Sequence, residues 1–175
     1  MTDAPQTRSP ARARRPADSF TSMTEHVLPT HANALGNVFG GQVLAWMDVC
    51  AAICAQRHCG AVAVTAGMDE IAFERSIRVG QVVLVEARVV AAFRTSVEIE
   101  VTVRGEVATT GEIWLCLSGF MTFVAIDAEG KPVPVPPLVL EGDDSARADE
   151  AHARRARRLA RRRPPPPPPP ARDAP

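Results

Sequence analysis

No stretch of this 175-residue chain approaches the run of about 18 apolar residues that a membrane-spanning helix needs, which excludes a helical span. The N-terminus, rich in Arg, Pro and Asp, lacks the apolar h-region of a secretory signal. Cysteine is sparse, with four residues, and Cys50, Cys54 and Cys59 fall on one predicted helix and its end. Without a signal they read as reduced thiols rather than two disulfides, and a cytoplasmic protein is expected. There is no Gly-x-Ser-x-Gly elbow, so a serine nucleophile of that kind is excluded. Positive charge is scarce where a core would form. Of 20 basic and 20 acidic residues, 13 and 8 lie in residues 1–18 and 141–175, leaving 7 and 12 between them. An acidic core with basic ends gives no sign of a nucleic-acid-binding domain.

What is present is enough apolar sequence, 46% of the chain, for one domain with a real core. Residues 1–18 have no apolar periodicity and are expected to be disordered. Residues 19–28 alternate and predict a first strand that ends at Pro29. A loop over 29–40 feeds a helix at about 41–58, closed near Gly60. Strand-like runs follow at Val62–Phe73, Gln81–Phe93, Thr95–Arg104 and Glu112–Ile126, punctuated by Gly80, Gly105, Gly111 and the 127–130 turn. One strand, one long buried helix and four consecutive strands imply an α+β fold, with an antiparallel sheet wrapped around a long central helix. The helix is apolar on nearly every side, so its remaining face needs a cover, for which a second copy of the chain is the natural candidate. Residues 139–175 are expected to be a mostly disordered Arg/Pro-rich tail. Within it, 143–163 has helix-forming composition and Pro164–Pro170 would form a polyproline II rod.

Chemistry concentrates in the run from Asn33 to Asp48. Gly40 and Gly41 let a ligand approach the backbone where a helix N-terminus presents free N–H groups. Asp48 lies in the middle of the helix, where an ionised carboxylate is tolerated only if paired, hydrated or useful. Oxyanion donors beside a carboxylate make a hydrolytic site, with Asp48 as general base or nucleophile. Asn37 either positions the attacking water, donates to a carbonyl oxygen, or only makes an Asx-type turn or helix cap. Seven helical steps, about 10 Å, separate Gly41 from Asp48, too far for both to act on one carbonyl within a chain. A site that uses both must therefore combine two subunits. Cys50, Cys54 and His58 share a helix face at i, i+4, i+8; a fourth metal ligand is not evident, and core packing is the preferred reading.

The pattern Asn33-x-x-Gly36-Asn37-x-x-Gly40-Gly41-x-x-x-x-x-Met47-Asp48, followed by Gln56-Arg57-His58-Cys59, resembles the hot-dog acyl-CoA thioesterases. More closely, it is similar to the cytosolic acyl-CoA hydrolases with an ACOT-type hot-dog domain. Phe73, Val79-Gly80, Arg94-Thr95-Ser96 and the run Phe120 to Asp127 with Gly130-Lys131-Pro132 add matches in the same order, over about residues 19–138. The resemblance implies a hot-dog fold and hydrolysis of acyl-CoA to a free acid and CoA, without a metal or separate cofactor. It also implies a homo-oligomer built from dimers, a trimer of dimers. It maps the functional positions to Asp48 and Asn37, with Gly40 and Gly41 supplying amides across a dimer. The other cations in the core are Arg57, Arg75, Arg78, Arg88, Arg104 and Lys131; Arg94-Thr95-Ser96 matches the family's CoA-contacting turn and is the first choice for CoA binding. Glu74-Arg75-Ser76 departs from the sequence usual after the Phe. Two rivals remain. Hot-dog hydratases use a catalytic His with an acid, a pattern that His26, His31, His58 and His152 do not form. A non-catalytic acyl-CoA-binding or regulatory module would bind without turnover.

Overall fold

The computed structural model describes residues 12–161 except residue 143. Five strands form one antiparallel sheet: β1 (Thr21–His26), β2 (Val62–Phe73), β3 (Val82–Ala92), β4 (Ser96–Val107) and β5 (Glu112–Ile126). Their spatial order is β1-β3-β4-β5-β2, so β1 and β2 are the edges. The 20-residue helix α1 (Gly40–Cys59) lies against one face and contacts all five strands. This is the expected α+β arrangement. Alternation explains the inner face. Val97, Ile99, Val101 and Val103 of β4, with Val83, Val85, Ala87 and Val89 of β3, are fully buried. They meet Met47, Cys50, Ala51, Cys54 and Ala55 of α1, also fully buried. Helix α1 stops at Gly60, whose φ of 62° is the left-handed conformation that glycine adopts without cost.

Three expectations need correcting. Gly105 was expected to end a strand near Arg104, yet β4 runs on to Val107. The glycine serves packing instead. A Cβ there would lie 2.4 Å from the Trp114 ring, so the ring covers the α-carbon and the strand continues beneath it. The residues after 138 were expected to be a solvated, mostly disordered tail with helical character at 143–163; Asp144–Arg161 do form a helix, α2, but it is docked on the outer face of the sheet. Ala148 and Ala151 are buried there. Arg154 pairs with the fully buried Glu98 at 2.8 Å, and its guanidinium stacks on Phe120 at 3.4 Å. Arg158 reaches Asp69, Arg147 reaches Glu100, and Arg88 of β3 reaches Asp144. Likewise, the end of the 1–18 segment is ordered. Pro16–Asp18 form a 3-10 turn, and Arg14 makes a parallel bridge to Leu138 and donates to the Arg57 carbonyl at the end of α1. The readings for residues 1–11 and for the Pro164–Pro170 rod lie outside the described residues.

Candidate active site

The loop before α1 is a small hairpin. Asn33 N–H donates to the Asn37 carbonyl at 2.8 Å, and Ala32 bridges Val38. The Asn33 side chain completes it, with Oδ1 accepting from the N–H groups of Leu35 at 2.9 Å and Asn37 at 3.3 Å. The Asx-type role weighed for Asn37 thus belongs to Asn33. The Asn37 Oδ1 is itself buried with no hydrogen-bond partner. Such an orphan acceptor is costly unless a ligand or water satisfies it. Gln42 and Val43 both donate to the Phe39 carbonyl, while the N–H groups of Gly40 and Gly41 take no partner among the described residues. The helix has no side-chain N-cap, so these amides remain available to an oxyanion.

Asp48 is half-buried on the side of α1 that faces edge strand β2. The Thr65 hydroxyl donates to Asp48 Oδ1 at 2.6 Å, a short charge-assisted bond. No motif flags Thr65 in the sequence; only the packing of β2 on α1 brings a residue 17 positions away to the carboxylate. Beside this pair runs the unpaired edge of β2, with Val62, Val64, Met68 and Phe73 exposed. Val49 and Ile53 of α1, one helical turn apart, are exposed as well.

A cavity of about 280 Å³ opens at the N-terminus of α1, with Asn33, Asn37 and Gly40 at one side, the segment 73–76 with Glu74 and Arg75 at another, and Val38, Val43, Ile77 and Cys116 as its apolar floor. The structure thus brings Asn37 and Gly40 together. It does not bring Arg94, Thr95 and Ser96 to them. That turn joins β3 to β4 and is held by Val135 N–H on the Arg94 carbonyl and Ala125 N–H on the Thr95 carbonyl. The adjoining Pro136 carbonyl accepts from His58 Nε2 at the far end of α1, about 30 Å from Gly40. Spacing along the sequence gave no means of seeing this separation. The nearer cations are Arg75, which lines this cavity while pairing with Glu112 at 3.0 Å, and the exposed Arg78, bridged through its backbone to Asn37.

Cys50, Cys54 and His58 line up along the buried face of α1 as their spacing predicts, all fully buried. Burial pushes the Cys50 thiol up to about 11 and the Cys54 thiol up to about 12, so neither is a ready thiolate.

The family model described as the thioesterase superfamily matches residues 35–112. Among named relatives, an uncharacterised acyl-CoA thioester hydrolase of Bacillus subtilis is 37% identical over 139 residues, covering 79% of this chain and 81% of that one. An acetyl-coenzyme A thioesterase of Rattus norvegicus is 40% identical over 119 residues, 68% of this chain. The chain spans only 21% of the length of that rat protein. Among solved structures, an apo-hexameric acyl-CoA thioesterase superposes with a TM-score of 0.82 at 37% identity, covering 86% of this chain and 97% of that one. An acyl-CoA hydrolase from Staphylococcus aureus, solved with butyryl coenzyme A and coenzyme A, gives 0.78 at 33% identity over 85% and 92% of the two chains. Alanine variants of that protein at an asparagine, an aspartate and a threonine have also been solved. Those three positions follow one another at the same intervals as Asn33, Asp48 and Thr65.

Proposed function

Because this chain belongs to the thioesterase superfamily, with the hot-dog acyl-CoA hydrolases, we propose that it hydrolyses acyl-CoA to a free carboxylic acid and CoA at a site shared by two subunits. The observation that carries the reading is the Asp48–Thr65 pair at 2.6 Å, set beside the unpaired edge of β2 while the free amides of Gly40 and Gly41 sit two turns away on the same helix. An exposed apolar edge strand is a template for pairing with another chain, and a second copy laid along it covers Val62, Val64, Met68, Val49 and Ile53. The partner's α1 N-terminus then faces Asp48. Such a dimer is the unit of the trimer of dimers that the resemblance implies, and the known hexamer among the relatives supports it.

In that site the thioester oxygen lies on the Gly40 and Gly41 N–H groups. The Asn33 carboxamide is oriented by the two backbone N–H groups on its Oδ1, which leaves its Nδ2 as a further donor. The buried, unpartnered Oδ1 of Asn37 accepts a hydrogen bond from the attacking water and holds it in line. Asp48 of the other subunit, with Oδ1 fixed by Thr65, takes the water's one transferred proton through Oδ2 as hydroxide, still hydrogen-bonded to Asn37, adds to the carbonyl carbon. The tetrahedral intermediate collapses with cleavage of the C–S bond, and CoA leaves as thiolate or takes the proton from Asp48. Chemistry of this kind proceeds without a metal or separate cofactor. In this assembly Arg94, Thr95 and Ser96 meet CoA only at another subunit's site. The cytoplasm is the proposed compartment, shared with the rat cytosolic acyl coenzyme A thioester hydrolase, 37% identical over 134 residues.

The test is free-thiol release from a panel of acyl-CoAs, with Asp48→Asn alongside. Loss of a general base predicts a fall in kcat of about 10²–10⁴ with the fold and assembly intact. A fully active Asp48→Asn removes the aspartate from the mechanism. A folded wild-type oligomer that binds acyl-CoA without turnover is instead the non-catalytic binding module.

A further inference from the structure

The Gly40–Gly41 turn has a cavity on each side, and the two differ in chemistry. Successive residues of an extended segment point to opposite sides, and the short strand that leads into α1 obeys this rule. Val38 faces the 280 Å³ cavity described above, whose floor of Val38, Val43, Ile77 and Cys116 is apolar and almost wholly buried. Phe39 faces a second cavity of about 380 Å³ lined by Thr30, His31, Ala32, Gly41 and Gln42. The polar groups in the second cavity are of both kinds. The Leu28 N–H donates to His31 Nδ1 at 3.2 Å, so the neutral ring carries its proton on Nε2, which has no partner among the described residues. The ring is held edge-on to the buried Trp46, with centroids 5.0 Å apart. Thr30 adds a hydroxyl and Gln42 a carboxamide that both donates and accepts.

An acyl-CoA is asymmetric about its thioester in the same way, with an apolar acyl group on one side and a pantetheine arm carrying two amides on the other. We propose that the substrate lies across the Gly40–Gly41 turn with its acyl group in the Val43–Ile77–Cys116 cavity and its pantetheine arm in the His31 cavity, where His31 Nε2–H donates to a pantetheine carbonyl. This assignment rests on the acyl-CoA reading above and adds to it the direction of the substrate, a CoA-positioning residue and a length limit. A 150 Å³ apolar cavity takes a benzene ring, so 280 Å³, part of it open at the mouth, takes an acyl group of no more than about ten carbons. The substrate class is short- and medium-chain acyl-CoA.

The experiment measures kcat and KM over saturated acyl-CoAs from two to sixteen carbons, together with CoA binding by calorimetry. Wild-type enzyme is expected to lose kcat/KM beyond about ten carbons. His31→Ala should raise KM and weaken CoA binding about tenfold, the value of one lost hydrogen bond, with kcat and the chain-length profile unchanged. Cys116→Phe should shorten the accepted chain without changing CoA binding, and Val43→Ala, which removes bulk and so avoids overpacking, should lengthen it. If His31→Ala leaves CoA binding intact, or if the His31 variant changes chain length while the Cys116 and Val43 variants change CoA binding, the orientation is wrong. Wild-type protein that binds CoA yet turns over no acyl-CoA defeats the hydrolase reading alone, and the calorimetry on His31→Ala still decides the CoA subsite.

Discussion

Asp48 has one carboxylate oxygen held by Thr65 and the other without a partner among the described residues, so the carboxylate is aimed as well as present. Replacing the exposed Thr65 with Val keeps the shape of the side chain but removes the donor. The expected result is a kcat about tenfold lower with KM little changed, while Thr65→Ser keeps most of the rate, both read by thiol release. Equal losses in the Val and Ser variants would make Thr65 a packing residue. His58 supports the fold rather than the site. Burial lowers its pKa from 6.5, the charge on Arg14 adds to this, and the Pro136 carbonyl opposes it. A depressed folded pKa means that the group's contribution to stability is complete above about 6.5 and is lost as the pH falls through the folded value. Thermal unfolding from pH 7.5 to 5 should therefore show a falling Tm. His58→Gln, which can still donate to Pro136, should flatten that slope, and an unchanged slope would place the acid sensitivity elsewhere.

At the scale of elements, legibility followed the range of the interactions. The bounds of β2 and β5 could be read from their apolar runs, and those of α1 to within a residue, because local pattern and turn chemistry determine them. Helix α2 could be read as composition but not as structure. Its partners Glu98, Glu100 and Asp69 lie 47 to 89 residues away, and an Arg-rich segment looks solvated until acidic residues of a sheet face are placed beneath it. Glu98 also misleads, since it alternates with valines like an exposed strand residue yet is fully buried under α2. Burial pushes its carboxyl up, while Arg154 and Arg158 pull it down. Removing one partner of a buried pair leaves the other charge stranded. Arg154→Ala is expected to cost about 3–5 kcal/mol in urea unfolding or to release α2, visible as faster amide exchange over 144–161. The double change Glu98→Gln/Arg154→Met should recover most of the loss. A single variant as stable as wild type, with α2 still protected, would show that the pair does not hold the helix. The same rule of range applies to the site. The Asn33–Asp48 motif was visible along the chain, but the division of labour between Asn33 and Asn37 depends on which carboxamide closes the hairpin, and Thr65 depends on strand packing.

For the whole molecule the decisive feature is what one chain leaves unfinished. Its β2 edge is unpaired, apolar side chains of α1 and β2 share an exposed face, and its amides and its carboxylate lie about 10 Å apart along one helix. Hydrolysis at such a site requires the two halves to come from different subunits. The most direct measurement mixes two inactive variants, Asp48→Asn and the double variant Asn33→Ala/Asn37→Ala, under conditions where native mass spectrometry shows subunit exchange. A two-fold dimer with shared sites restores one intact site in every mixed dimer, so activity should return to about a quarter of the wild-type value. Proven exchange with no return of activity would contradict the shared site and place all the catalytic groups within one chain.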